Sequence, residues 1–172
     1  TELQKKNNMR NILVIGFEKL VANLSENITD EMFMGGERIY EQSEGVIFPA
    51  QNALVAQQYM VKYGATEDDL ALVALKNHEN AFLNPKARFY GKKVTPDMIK
   101  KSPVVASPLR LFDCSISVDG AAAAIISTEK SDIEIIGSSL FTDRLSAFES
   151  RDMTSWAATR LAAESAYQQA GI

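Results

Sequence analysis

The apolar residues of this chain change their spacing from one segment to the next. Residues 11–17 (NILVIGF) form a continuous apolar run that is rich in branched side chains. Such a run predicts a strand that is covered on both faces, as in layered α/β folds. Apolar stretches at residues 121–127 and 133–140 predict two further strands, although the four alanines of the first stretch would favour a helix on propensity alone.

Between these strands the apolar spacing is helical. One helix is predicted to start near Pro49, a residue favoured in the first turn, and to end at Gly64. A second is predicted to start at a capping box formed by Thr66 and Asp69, and to end at Asn84 before a proline. The inward face of this second helix is predicted to consist of Leu70, Val73, Ala74, Asn77, His78 and Ala81.

Two more helices are predicted in the second half of the chain. A short one begins at Thr95 and Pro96, and a long one covers about residues 153–170. The inner face of the long helix is predicted to consist of Trp156, Arg160, Ala163 and Tyr167. The order of strand, long helical excursion, two strands and helix predicts an α/β layer that is interrupted by an inserted loop domain.

The composition excludes several classes of function. With 18 basic and 22 acidic residues the net charge is −4, which provides no general attraction for nucleic acid or for an anionic membrane. The longest apolar stretch, residues 120–127, is far shorter than the ~20 residues of a membrane-spanning helix. A single cysteine and a polar first segment without a signal-peptide pattern favour a cytoplasmic protein.

The candidate chemistry is sparse, because the chain has one histidine and one cysteine. His78 is either a structural histidine or a contact to a substrate or an interface, and its sequence context leaves both open. Cys114 follows an acidic residue and has no cationic neighbour in sequence, so an inert thiol is expected. No GxGxxG, P-loop, HExxH or GxSxG motif occurs, and no catalytic or metal-binding residue is predicted from the residues themselves.

Five stretches in order resemble thiolases, most closely the sterol-carrier-protein-type and archaeal acetyl-CoA acetyltransferase branch. Residues 12–20 (ILVIGFEKL) are similar to the strand and Gly-x-Glu-x-Met turn after the thiolase nucleophile helix, and residues 48–64 to the first loop-domain helix. Residues 73–89 (VALKNHENAFLNPKARF) resemble the Lys-Asn-His…Asn-Pro…Phe signature. Residues 109–127 (LRLFDCSISVDGAAAAIIS) resemble the Ser-x-x-x-Asp-Gly-Ala-Ala-Ala segment, and residues 166–172 the helix that opens the C-terminal half.

The resemblance implies a thiolase-like layered α/β fold, incomplete in this chain, with an inserted helical loop domain. It assigns residues 1–23 to the end of the N-terminal half and residues 24–118 to the loop domain. Residues 119–150 would be the closing strands of the N-terminal half, and residues 151–172 the first helix of the C-terminal half. The chain is therefore expected to be the central segment of a longer protein, with a natural short form as the alternative.

The reaction that the resemblance implies is Claisen-type acyl transfer, the condensation or thiolysis of a 3-ketoacyl-CoA. In the family one cysteine carries the acyl group, a second moves the α-proton, and loops with His and Asn form oxyanion holes. These family motifs match no position within residues 1–172, so neither Cys114 nor His78 inherits a catalytic role. The chain alone is expected to be inactive, with coenzyme A or acyl-CoA as substrate and no covalently bound cofactor.

The resemblance also implies that this chain contains part of the surface that binds coenzyme A in thiolases. Thiolases place a serine against the pantetheine arm at the position of Ser115, and a loop-domain hydrophobe near that of Phe48. Ser117 and Gly120 would supply the narrow walls of a thin tunnel, and His78 is the fifth candidate contact. Four basic residues are expected either to meet the phosphates of coenzyme A or to be solvated loop charges, namely Lys86, Arg88, Lys92 and Lys93.

The resemblance also implies partners. A homo-oligomer, dimer or tetramer, is expected, and the archaeal branch implies a partner synthase and a small bridging protein. The leading hypothesis is a segment of a thiolase-type acyltransferase. The alternative is a non-catalytic thiolase-like subunit that binds acyl-CoA beside a catalytic partner. A third hypothesis, an unrelated α/β scaffold, would require five ordered matches by chance.

Overall fold

The computed structural model describes residues 10–21, 32–146 and 149–172. These residues divide into two compact units. The sheet unit holds residues 10–21, 117–142 and 157–172, and the helical unit holds residues 32–116 with the described part of 143–156. The main elements, in chain order, are β1 (Asn11–Glu18), α1 (Phe48–Tyr63), α2 (Glu67–Leu83), α3 (Pro96–Lys101), β2 (Val104–Ala106), β3 (Leu109–Arg110), β4 (Gly120–Ser127) and α4 (Ala157–Ala170). The domain boundaries assigned from the sequence stay a prediction.

Two of the predicted strands are confirmed in the sheet unit. β1 and β4 pair antiparallel, from Asn11 opposite Ser127 to Glu18 opposite Gly120. The alanines of β4 are extended because the ladder with β1 outweighs their weak preference for a helix. At the end of this pair a carboxylate oxygen of Asp119 accepts a hydrogen bond from the backbone N–H of Val21 at 2.9 Å.

The strand predicted at residues 133–140 is wrong. This stretch forms no strand and instead runs beside α4. The backbone at Gly137 lies against that of Ala166, and the N–H of Ser138 donates to Oε1 of Gln169 at 3.3 Å. A strand requires a neighbouring strand for its N–H and C=O groups. In the described part of the sheet unit no strand pairs with this stretch, so its apolar pattern does not produce a strand.

The prediction that β1 is covered on both faces is also wrong for the described residues. Leu13, Ile15 and Phe17 are 60%, 59% and 81% exposed on one face, and Val14 is 47% exposed on the other. The sheet of this unit has two strands and its one long helix is α4. These elements bring too little apolar surface to cover both faces of β1.

The inner face predicted for the last helix is correct at Ala163 and wrong at Trp156, Arg160 and Tyr167, which are exposed. The helix begins at Ala157, so Trp156 precedes it, and both Trp156 and Tyr167 are 56% exposed. Small side chains occupy the less exposed face because they let the helix backbone approach the 133–140 stretch closely. The half-buried alanines of α4 are Ala158, Ala162, Ala163, Ala166 and Ala170.

The helices predicted in the helical unit are confirmed, and local caps account for their ends. α1 carries Pro49 in its first turn and ends at Gly64, whose left-handed φ of 69° suits glycine. α2 begins at the predicted capping box, in which Oδ2 of Asp69 accepts from the backbone N–H of Thr66 at 2.8 Å. That hydrogen bond lowers the pKa of Asp69 from its ordinary value. The hydroxyl of Thr95 caps α3 in the same unit.

The buried centre of the helical unit lies between α2, α3 and the turn at residues 111–113. Ala71, Ala74, Val94 and Ile99 form this core, and Ile99 is only 1% exposed. Three half-buried apolar residues pack against the core, namely Leu75, Phe89 and Phe112.

The inward face predicted for α2 is only partly correct. Val73 is 57% exposed and Asn77 is exposed, whereas Ala71 and Leu75 take their place in and beside the core. The short α3 and a single turn cover only a narrow side of α2. The buried arc of the helix is therefore narrower than its apolar spacing indicates.

Candidate functional site

His78 has partners within the helical unit. Its ring contacts Phe89 edge-on at 4.5 Å between centroids and Phe112 at 5.4 Å. Its Nε2 lies 3.3 Å from the carbonyl oxygen of Phe112, and because a carbonyl only accepts, this bond requires the proton on Nε2. These contacts are those of a structural histidine, while its half-buried ring leaves the predicted ligand contact a prediction.

Phe48 lies at the first position of α1, in the same unit. Its ring meets that of Phe33 at 5.1 Å in an edge-to-face arrangement. Phe33 is 2% exposed, whereas Phe48 is 36% exposed. Phe48 is therefore held on one side and accessible on the other. The ring contacts assign Phe48 and His78 to separate clusters of side chains.

The three small candidate residues are all exposed. Ser115 follows the turn at residues 111–113 in the helical unit, whereas Ser117 and Gly120 belong to the sheet unit. Neither serine hydroxyl forms a hydrogen bond with another residue in the part of the chain that the structure describes. A Cβ built on Gly120 would find no heavy atom within 4 Å, so packing among the described residues does not require glycine there.

Cys114 lies in surroundings that suppress the thiolate. The residue is half-buried and unpaired. Burial, and then the neighbouring Asp113 carboxylate, raise the pKa of the thiol above its ordinary value. A nucleophilic cysteine needs the opposite shift, which a cation or a helix N-terminus would supply. The arrangement is that of an inert thiol.

This shift predicts the pH dependence of alkylation at Cys114. Iodoacetamide reacts with the thiolate, so the folded chain is expected to react more slowly than the unfolded chain at pH 8. The midpoint of its rate profile is expected at higher pH, since the folded pKa is raised. The rates are measured by mass spectrometry in buffer and in urea. Because Cys114 is the single cysteine of the chain, the added mass reports on this thiol in both conditions. Faster alkylation of the folded chain would contradict the assignment of an inert thiol.

Two polar networks that the sequence analysis missed connect distant parts of the helical unit. Arg110 donates to Oε2 of Glu67 at 3.2 Å and to the carbonyl oxygen of Ser102 at 3.2 Å. Lys62 donates to Oδ2 of Asp152 at 2.7 Å, and these two residues are 90 positions apart. No spacing rule connects residues at such separations, so the sequence carried no signal for either network.

Other site types are not evident in the described residues. No group of three or more His, Cys, Asp or Glu side chains in residues 10–21, 32–146 and 149–172 is arranged to hold a metal ion. Within the same ranges no helix has both the length and the apolar character to cross a membrane. The basic loop residues Lys86, Arg88, Lys92 and Lys93 are exposed, and none forms an ion pair with another described residue.

Comparisons with known proteins bear on this arrangement. No family model matches the chain. It is 35% identical over 168 residues to an acetyl-CoA acetyltransferase from Methanothermobacter thermautotrophicus, a match that covers 94% of this chain and 43% of that protein. It is 28% identical over 180 residues to sterol carrier protein 2 from Bos taurus, which covers 94% of this chain and 33% of that protein.

The fold is shared as well. A chain of the solved Ltp2-ChsH2(DUF35) aldolase superposes with a TM-score of 0.79 at 22% identity, over 99% of this chain and 47% of that chain. The resemblance read from the sequence is thus confirmed, and the chain is thiolase-like with a mixed α/β fold. It spans less than half the length of each of these relatives.

Proposed function

We propose that this chain is the coenzyme A-binding part of a thiolase-type acyltransferase, which condenses or cleaves 3-ketoacyl-CoA. The observation that carries the proposal is the 35% identity to an acetyl-CoA acetyltransferase along 94% of the chain. In this proposal the chain holds the acyl-CoA, and the groups that make and break its bonds are not among residues 1–172.

The candidate contact residues support a role in binding. Ser115 and Ser117 keep their hydroxyls free of other described residues, and Gly120 has open space where a side chain would be. Free hydroxyls and missing side chains suit a slender ligand, because its amides need hydrogen-bond partners and its chain needs room. Phe48, which begins α1 in the helical unit, is 36% exposed and is the aromatic candidate for a contact to the ligand.

A second candidate, a non-catalytic thiolase-like subunit that acts beside a catalytic partner, agrees with the same residues. The one cysteine has a raised pKa, and the one histidine is engaged by Phe89 and Phe112. A partner synthase and a bridging protein would then complete the assembly. The two candidates differ in the reading frame that encodes this chain. A frame as long as that of the acetyltransferase relative supports the enzyme, and one that ends at Ile172 supports the subunit.

Binding of coenzyme A tests the role that both candidates share. The purified chain is expected to bind coenzyme A in a calorimetric titration, and Ser115→Phe is expected to weaken binding about tenfold, because the ring fills the space of the pantetheine arm. Ser131→Phe is the matched control, since Ser131 is also an exposed serine in a loop.

The same preparation is then mixed with acetoacetyl-CoA and coenzyme A, and no thiolysis is expected from the chain alone. Clear turnover would show that its own residues perform the chemistry. Absence of coenzyme A binding by the folded chain, or an equal loss of affinity in the two serine variants, would overturn the proposed binding surface.

A further inference from the structure

The turn at residues 111–113 lies shortly before Ser115 in the chain, and His78 holds its middle residue to α2. Nε2 of His78 donates to the carbonyl oxygen of Phe112 at 3.3 Å, across 34 positions of sequence. Ser115 follows Phe112 by only three positions. All three residues belong to the helical unit. The backbone position of Ser115 therefore depends on where α2 holds this turn.

Ring contacts fix the direction in which His78 donates. Its ring meets that of Phe89 at 4.5 Å and 74°, and that of Phe112 at 5.4 Å and 83°. Phe89 and Phe112 also meet each other edge-on at 6.3 Å, and both pack against the core of the helical unit. Edge-to-face ring pairs have a preferred geometry. The imidazole is thus oriented by two rings that are themselves anchored, and its Nε2 is directed at the carbonyl oxygen.

The other hydrogen bonds of this turn act at its ends. The backbone N–H of Arg110 donates to Oδ2 of Asp113 at 2.8 Å, which shapes the turn locally. The Arg110 guanidinium also reaches Glu67, the first residue of α2. His78 lies about three helical turns further along α2 and holds the centre of the turn instead. Its bond is therefore the one that determines how closely the middle of the turn lies to α2.

The exposed side chain of Ser115 has no anchor of its own. Its hydroxyl forms no hydrogen bond with another described residue. Such a hydroxyl is placed by the backbone that carries it. If the turn leaves α2 for part of the time, only the remaining fraction of molecules presents Ser115 correctly. The apparent affinity for a ligand then falls by that fraction.

We propose that His78 is a positioning residue, whose Nε2–H holds the turn at residues 111–113 against α2 and thereby places Ser115 for the pantetheine arm. This inference rests on the proposed binding of coenzyme A. In this role His78 acts through the backbone and does not touch the ligand.

Two substitutions separate the donor of His78 from its ring. His78→Phe keeps an aromatic ring and loses the donor, whereas His78→Gln loses the ring and keeps an N–H donor. In calorimetric titrations with coenzyme A, His78→Phe is expected to raise the Kd about fivefold, the size of one lost hydrogen bond. His78→Gln is expected to rescue the affinity to within about twofold of the wild-type chain.

Urea denaturation of the same two variants shows whether the effect on binding is one of packing. His78→Phe is expected to be the more stable variant, because it keeps edge contacts to Phe89 and Phe112. The order of stability is thus expected to be the reverse of the order of affinity. If His78 only filled space, phenylalanine would be the better replacement in both measurements.

Phe89→Leu is the packing control, since it removes a ring contact to His78 and leaves the hydrogen bond to Phe112 in place. It is expected to lower the stability while the Kd stays within about twofold. A double variant tests whether His78 acts through Ser115. In a Ser115→Ala chain, His78→Phe is expected to raise the Kd less than about twofold, because the hydroxyl that it would place is already absent.

Nuclear magnetic resonance of the ¹⁵N-labelled wild-type chain tests the hydrogen bond without any variant. His78 is the only histidine, so its imidazole signals need no assignment. The neutral ring is expected to carry its proton on Nε2, because the carbonyl oxygen of Phe112 only accepts. A neutral ring with its proton on Nδ1 would show that the bond does not exist, and the inference would be lost.

The binding experiments distinguish failure of this inference from failure of the proposed function. If the wild-type chain binds coenzyme A and both His78 variants have the same Kd, His78 has no positioning role, although the proposed function stands. The same holds if His78→Phe has an equal effect with and without the Ser115 hydroxyl. If the folded wild-type chain binds no coenzyme A, the proposed function fails and this inference fails with it.

Discussion

Gly137→Ala is expected to destabilise the sheet unit by about 1–3 kcal/mol, the range for overpacking. A Cβ at this position would lie 3.1 Å from the carbonyl carbon of Ala166, and closer still to its oxygen. The obstructing atoms are backbone atoms of α4, so they cannot turn aside as a flexible side chain would. The φ of Gly137 is not in the left-handed region, so the effect is steric. Urea denaturation followed by circular dichroism measures the change in free energy of unfolding.

Gly16→Ala provides the control for this substitution. Gly16 lies within β1, also without a left-handed φ, and a Cβ there would meet no heavy atom within 4 Å. Its replacement is expected to leave stability unchanged or to raise it by up to about 1 kcal/mol, because alanine restricts the unfolded chain. If both alanines had the same effect, the close approach of α4 to the 133–140 stretch would be refuted.

Ile99→Ala is expected to destabilise the helical unit by about 2–4 kcal/mol. Ile99 is 1% exposed in a core otherwise built from Ala71, Ala74 and Val94. These small neighbours cannot expand to fill the space that the isoleucine leaves, so a cavity remains. Urea denaturation of the variant measures the loss. Because the same unit holds Ser115 and His78, coenzyme A binding is expected to weaken at urea concentrations that leave the wild-type chain folded.

Met98→Ala separates this core effect from an effect on the helix itself. Met98 precedes Ile99 on the same short helix but is 45% exposed. Alanine is a good helix former, so a loss below about 0.5 kcal/mol is expected, as for most surface substitutions. Equal losses in the two variants would show that Ile99 does not carry the core of this unit.

Local signals in the sequence predicted the ends of the helices well. Pro49 and Gly64 delimit α1, and Thr66 and Asp69 start α2, because the groups that cap a helix lie within a few residues of the end that they cap. The faces of the helices were predicted less well. Asn77 has the spacing of an inward residue on α2, but burial depends on which elements lie opposite, and α3 covers only a narrower arc.

In the candidate site, too, the sequence predicted what depends on local motifs and not what depends on distant contacts. Five ordered stretches, two of them around Ser115 and His78, carried the thiolase resemblance, which the comparisons confirm. The motifs did not predict which residues Ser115 and His78 contact. That His78 meets Phe112 depends on a turn that returns to α2 from 34 positions further along the chain. The five contact residues proposed for coenzyme A remain predictions.

The sequence by itself determined the α/β class, the caps of the helices and the likeness to thiolases, because each depends on residues that are close together in the chain. Only the tertiary structure decided that residues 133–140 run beside α4 without a strand partner. Only the tertiary structure joined Lys62 to Asp152 across 90 positions and Arg110 to Glu67 across 43. Pairing, burial and cavities depend on which distant residues meet in space, and no local spacing encodes that.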